Sequence, residues 1–163
     1  MNQIDAKFQE LLLELNRKSK QEVFNKIKEN YSKQTPDIKL ALENYYKAFN
    51  YWGKLEEARG EYESLYLRAT SLKEHIEDYL WLYNHLEDYR SKKLLYAILN
   101  NWYNFDILTT KTSLEKNYDQ YWDLDIIKPT NQEVIVDVGA YIGDTILTYL
   151  NNYGLNFYKK IYA

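Results

Sequence analysis

The sequence contains no cysteine, and its 163 residues include only two histidines, two prolines, five glycines and one methionine. Without cysteine there is no disulfide and no thiolate metal site. The absence also fits a reducing cytoplasm. No apolar run reaches the length of a membrane span, and the opening residues lack the apolar core of a signal peptide. A cytoplasmic protein with no membrane partner is expected. Nor does one sign of charge dominate: 21 Lys and Arg stand against 24 Asp and Glu, a formal net charge of -3. A nucleic-acid partner needs a concentrated basic face. Here the lysines alternate with acids, as on a solvated helix surface.

The scarcity of histidine limits metal chemistry. His75 and His85 are ten positions apart. On a continuous helix they share an angular position but stand about 15 Å apart in rise, too far for one ion. There is no His-Glu-x-x-His and no Gly-x-Ser-x-Gly. Asp123-Leu124-Asp125 has the form of the Asp-x-Asp of metal-dependent glycosyltransferases, but reads as a loop with two solvated carboxylates. No metal is expected.

What the chain has in quantity is tyrosine, 18 residues, within a composition that is 45% hydrophobic and 17% aromatic. Such a composition folds. At helical spacing a tyrosine packs its ring inward and leaves its hydroxyl in water; an aromatic surface that stacks on sugars or bases is the alternative.

The periodicity is helical over most of the chain. Ile4, Phe8, Leu11, Leu12 and Leu15 form one stripe, and Val23, Phe24, Ile27 and Tyr31 a second, as one bent helix or two. Thr35 and Pro36 mark an N-cap and first helical position. The helix they open carries Ile38, Leu42, Tyr45, Tyr46 and Phe49 on its apolar face. Gly53 predicts a turn and Gly60 a break. A long stripe follows through Leu65, Leu72, Ile76, Tyr79, Leu80, Tyr83 and Leu86, then another through Leu94, Leu95, Ile98, Leu99 and Trp102, with Ser91 as its cap. These helices suit an antiparallel bundle or hairpin array. Trp52 to Tyr62 has no second copy at a period of about 34 residues, so a solenoid is not expected.

After residue 103 the periodicity weakens. Thr109 to Ser113 and Pro129 to Asn131 read as loop, with a short helix over Leu114 to Trp122. The predicted organisation is a helical accessory region over 1–103, a linker over 104–133, and an α/β segment over 134–163. In that segment Val134 to Val138 is an apolar, β-branched run, predicted to be a central parallel strand covered on both faces. Thr145 to Tyr153 is an amphipathic helix with Ile146, Leu147 and Leu150 inward and Gly154 as its C-cap. Tyr158 to Ala163 begins a second strand.

Between strand and helix stand Asp137, Gly139, Ala140, Tyr141, Gly143, Asp144 and Thr145. Glycines there tolerate unusual backbone angles and let a ligand approach the main chain. The place, past a strand end and before a helix N-terminus, is where open α/β sheets bind ligands. Gly139 and Gly143 do not meet Gly-x-Gly-x-x-Gly, and no Gly-Lys-Ser/Thr of a P-loop follows. Asp137-Val138-Gly139-Ala140-Tyr141-Ile142-Gly143 instead resembles motif I of S-adenosylmethionine-dependent methyltransferases, Asp-x-Gly-x-Gly-x-Gly, with Tyr141 at the middle glycine.

With that variant, the segment resembles the FkbM family of methyltransferases, many of them O-methyltransferases. Leu86-Glu87-Asp88-Tyr89-Arg90-Ser91-Lys92-Lys93-Leu94 is similar to a segment that often precedes the family's domain, and Tyr158 to Ala163 looks like its second strand. The resemblance covers about residues 86–163. It implies a mainly α N-terminal region followed by the first βαβ unit of a Rossmann-like α/β methyltransferase domain. It also implies S-adenosylmethionine as cofactor and a small-molecule or glycan acceptor, modified on a sugar hydroxyl. Asp137 and Gly139 would line the methionine and ribose part, with Ala140, Tyr141, Asp144 and Thr145 beside them, and Gly143 would permit close helix approach.

No residue matches a catalytic base, and the acid expected to hold the ribose would fall just past Ala163. Residues 1–163 alone read as a truncated front part, expected to be inactive in methyl transfer and to bind the cofactor weakly or not at all. The helical region would serve acceptor docking or a homodimer. The alternative is a non-enzymatic helical interaction protein with a structural βαβ remnant.

Overall fold

The computed structural model describes residues 2–114, 121–122 and 126–163. The chain divides into two units, residues 1–114 and 115–163. The first is helical throughout; the second holds the two parallel strands and the last helix. The described chain is thus mainly helical, with a two-stranded sheet.

The first stripes form two helices, α1 (Gln3–Arg17) and α2 (Lys20–Ser32). The break has a local cause. Ser19 makes a capping box with Glu22, so it starts a new helix rather than continuing the old. Asn2 and Asp5 do the same at the start of α1. Ile4, Phe8, Leu11, Leu12, Leu15, Val23, Ile27 and Tyr31 are buried as their spacing predicts.

Helix α3 (Pro36–Ala48) has Pro36 in its first turn, but Thr35 makes no side-chain cap hydrogen bond. Of its predicted face only Tyr46 is buried; Tyr45 and Phe49 are exposed. The stripe from Leu65 to Leu86 is two helices, α4 (Glu63–Glu74) and α5 (Ile76–His85), broken at His75. The continuous helix assumed for the two histidines does not exist. His75 Nδ1 lies 2.7 Å from an Asp78 carboxylate oxygen, and His85 Nδ1 lies 2.7 Å from the Trp81 carbonyl.

Helix α6 (Tyr89–Asn104) is capped by Asp88 rather than Ser91: the Asp88 carboxylate accepts the Ser91 N–H at 2.8 Å. Thr109 to Ser113, predicted as loop, lie in helix α7 (Ile107–Ser113). Asp106 caps it by accepting from Thr109 N–H. The hydroxyls of Thr112 and Ser113 then donate to carbonyls one turn back, at 3.0 and 2.7 Å. These bonds occupy polar groups that otherwise compete with the helix. Of the short helix predicted over 114–122, residues 115–120 lie outside the described residues. So does Asp123-Leu124-Asp125.

In the first unit, α2 packs on α4 and α6, while α1 packs on α4, α5 and α6. Their shared core includes Phe8, Leu15, Ile27, Leu65, Leu72 and Tyr103, each almost fully buried. Phe8 stacks on Tyr83 with ring centroids 3.8 Å apart. Three buried tyrosine hydroxyls of this core are not left to water. Tyr31, Tyr83 and Tyr103 donate to Glu43, Asp5 and Glu14 at 2.9, 2.7 and 2.7 Å. Burial raises all three phenols above their ordinary range, and the carboxylate acceptors raise them further. A phenol with an apolar rim and a carboxylate at its tip stays neutral and bonded.

In the second unit, β1 (Val134–Val136) pairs in parallel with β2 (Lys160–Tyr162), placing Ile135 beside Ile161. Helix α8 (Asp144–Tyr153) connects them and ends at Gly154, whose N–H reaches the Leu150 carbonyl at 2.8 Å. Both strands are shorter than predicted. The strand predicted to be covered on both faces has Ile135 half-buried, but Val134 and Val136 exposed and Val138 91% exposed. With two strands and one helix, only one face of the sheet meets apolar cover. On α8, Leu147 points outward and Tyr149 is the buried residue. Tyr149 packs with Trp122 and Tyr153, and its hydroxyl donates to the Phe157 carbonyl. Tyr149, two residues on and so on the opposite side of the helix, takes the inner face with its ring.

Candidate functional site

The site begins where β1 stops. Asp137 N–H still donates to the Tyr162 carbonyl at 2.8 Å, so the ladder runs one residue past the strand. Then three residues in five take left-handed backbone angles: Gly139 (φ 91°), Tyr141 (φ 45°) and Gly143 (φ 79°). The Gly143 N–H donates to the Ala140 carbonyl, closing the turn. The Gly143 carbonyl in turn accepts from Leu147 and starts α8.

Glycine suits the two outer positions because a side chain there is strained whatever the space around it. At both, an added Cβ would meet no protein atom within 4 Å, so the glycines face open space. Tyr141 adopts the left-handed region without glycine's freedom. It occupies the place of the middle glycine in the resembling motif, and at 94% exposure no packing offsets its strain.

The turn borders a cleft of about 440 Å³ at the carboxyl end of β1, lined by Asp137, Val138, Gly139, Thr145, Ile146 and Trp122 among others. The size falls in the range of small-molecule pockets, roughly 300–1,000 Å³. Within it Asp137 presents a carboxyl oxygen, Oδ2, shielded from solvent and without a hydrogen-bond partner among the described residues. A buried polar atom of that kind is costly unless something donates to it. The amides of Asp144, Thr145 and Ile146 open α8. No backbone acceptor among the described residues takes them, as is usual of a first turn.

Three of the seven residues named from sequence therefore come together: Asp137, Gly139 and Thr145 share one cleft. Ala140, Tyr141, Gly143 and Asp144 shape the turn and helix start without lining it. Sequence reasoning missed Trp122. Its indole N–H donates to the Thr145 carbonyl at 3.0 Å, and its ring packs edge-on to Tyr149 at 4.9 Å. It holds the first turn of α8 from outside the βαβ unit. The signal was a tryptophan in an otherwise polar, aperiodic stretch.

The donor set suits a ligand with both a cationic or hydroxyl group and an anionic one. Asp137 can accept from the former, and the α8 amides can donate to the latter. Among the described residues no three His, Cys, Asp or Glu gather to hold a metal ion, and no helix is long and apolar enough to cross a membrane. No family model, curated protein or solved structure matches this chain.

Proposed function

We propose that the turn from Asp137 to Thr145 is the cofactor corner of an S-adenosylmethionine-dependent methyltransferase of the FkbM kind. On this reading β1, α8 and β2 are the first βαβ unit of a Rossmann-like sheet. The observation that carries it is the Asp137 carboxyl oxygen, unpartnered among the described residues, in one cleft with Gly139 and Thr145 at a turn whose two glycines are left-handed and lead into α8. S-adenosylmethionine has a complementary set: an ammonium and ribose hydroxyls that donate, and a carboxylate that accepts.

In this role Asp137 accepts from the ammonium or a ribose hydroxyl. Gly139 leaves its backbone bare to the ligand, and the amides of Asp144, Thr145 and Ile146 donate to the carboxylate. Trp122 fixes the Thr145 carbonyl, and with it the direction of those amides. Bound there, the sulfonium supplies a methyl group, by this reading to an acceptor hydroxyl on a sugar or glycan. The acceptor's proton must go to a base for which these residues offer no candidate. The helical unit would dock the acceptor or pair two chains.

A second reading has one observation in its favour: the outer face of the sheet is uncovered at Val134, Val136 and Val138. A structural remnant carried by a helical interaction protein would leave it so. Ligand titration separates the two. S-adenosylhomocysteine should perturb residues 137–145 if they are a cofactor corner, and leave them unchanged if the unit only packs.

A further inference from the structure

The helical unit contains a second cleft, of about 490 Å³, lined by residues of α3, the turn at Asn50–Trp52, α4 and α6. Its apolar wall includes Leu42, Tyr45, Trp52, Leu67 and Trp102. Two polar groups in that wall are poorly explained by the protein alone. The first is Arg68, half-buried, whose Nε and Nη2 both donate to the buried Tyr46 hydroxyl at 3.2 and 2.7 Å. Its guanidinium also lies over the Phe105 ring at 5.1 Å. No carboxylate pairs with it among the described residues. A guanidinium carries five N–H donors, so three have no acceptor among the described residues, and its charge is met by aromatic faces rather than by a carboxylate. The second is Ser64, 1% exposed, whose hydroxyl has no partner among the described residues.

Ser64, Leu67, Arg68 and Ser71 stand at positions i, i+3, i+4 and i+7 of α4, so they share one face. Leu65, Ala69 and Leu72, buried in the helical core, occupy the adjoining face. The helix therefore lines the cleft with Arg68 and two serines, of which Ser71 is bonded to the Tyr79 hydroxyl at 2.6 Å, and turns hydrocarbon to the core.

We propose that this cleft binds a small organic carboxylate with an apolar body, its carboxylate on Arg68 and its body against Tyr45, Trp52 and Trp102. An uncompensated guanidinium in apolar surroundings is costly, and a carboxylate matches its planar fork. A phosphate dianion fits less well, because Arg68 is the one cation in the wall among the described residues. A neutral sugar would leave that cation unmatched. The site lies within residues 42–102 and stands or falls independently of cofactor binding at Asp137.

The test is ligand-observed NMR and calorimetry on the full chain with benzoate, phenylacetate, indole-3-acetate and octanoate, each against its uncharged amide. The expected result is at least one carboxylate that binds about tenfold tighter than its amide, the worth of one hydrogen bond to a charged group. Arg68→Gln should abolish that preference, and Trp52→Ala, at an exposed position, should weaken acid and amide alike. If circular dichroism shows Arg68→Gln unfolded, Arg68→Lys is read instead. It keeps the charge without the fork, and the preference should shrink without vanishing. Failure of all four acids to bind below millimolar concentration, or equal affinity of acids and amides, overturns the proposal.

Discussion

Asp137 donates its backbone N–H to the Tyr162 carbonyl while its carboxyl oxygen Oδ2 has no partner among the described residues. The main chain of this residue is fixed by the neighbouring strand, and its side chain, which helps line the cleft, is left with an unmet acceptor. Fixed backbone beside an unsatisfied side chain is what preorganised binding positions have in common.

Replacing Gly143 by valine should damage the turn without disturbing the helical unit. An added Cβ meets no atom within 4 Å, so the cost is chiefly that of a left-handed backbone, ~1–2 kcal/mol. Amide hydrogen exchange should show faster opening of residues 144–153, with protection of α1, α2 and α4 unchanged. Loss of protection throughout both units would contradict this.

Tyr141→Asn should do the reverse. Asparagine tolerates the left-handed region, and the lost ring is exposed. A gain of about 0.5–1 kcal/mol in the local stability of α8 is expected from the same exchange measurement. No change, or a loss, would show that the ring packs on something.

Trp122→Phe keeps an aromatic ring against Tyr149 and removes the indole N–H from the Thr145 carbonyl. About 1 kcal/mol should be lost. Exchange at the first turn of α8 should quicken more than at Tyr153.

The helical unit should lose stability at both ends of the pH range. Asp5 is held below its ordinary 3.8, chiefly by the Tyr83 hydroxyl. Glu14 is pushed up by burial, but the Tyr103 hydroxyl, Lys26 and Lys18 outweigh that and leave it below its ordinary 4.5. Lowered carboxylates contribute stability above their unfolded values, and it is lost as pH falls through the native ones. The three raised tyrosines contribute stability below their ordinary 10.0, lost as pH climbs beyond it. Tyr103→Phe should cost about 1 kcal/mol at pH 7. Urea titrations should show that cost shrinking in acid, where protonated Glu14 no longer needs the donor. A cost independent of pH would contradict the pairing.

Which features were legible follows from how local their causes are. The stripe from Ile4 to Leu15 was readable because each residue faces the core by period alone. The glycine turn was readable because left-handed backbone has a residue signature. Helix α7 was not, since its threonines are good loop formers until their hydroxyls bond to the preceding turn. The break at His75 leaves the hydrophobic period intact and so is invisible to it. Exposure of Val134, Val136 and Val138 depends on what covers the sheet, which the run itself does not encode. Arg68 and Ser64 escaped notice because a missing counterion is a property of the fold.

The most direct test of the cofactor corner is a titration of the isotopically labelled chain with S-adenosylhomocysteine to millimolar concentration, read by amide NMR. The account predicts saturable shifts at Gly139, Tyr141, Gly143, Asp144 and Thr145, weaker than about 0.1 mM and absent from Asp137→Ala. Unmoved resonances across residues 137–145 at saturating ligand, or saturable shifts confined to residues 2–114, would contradict it.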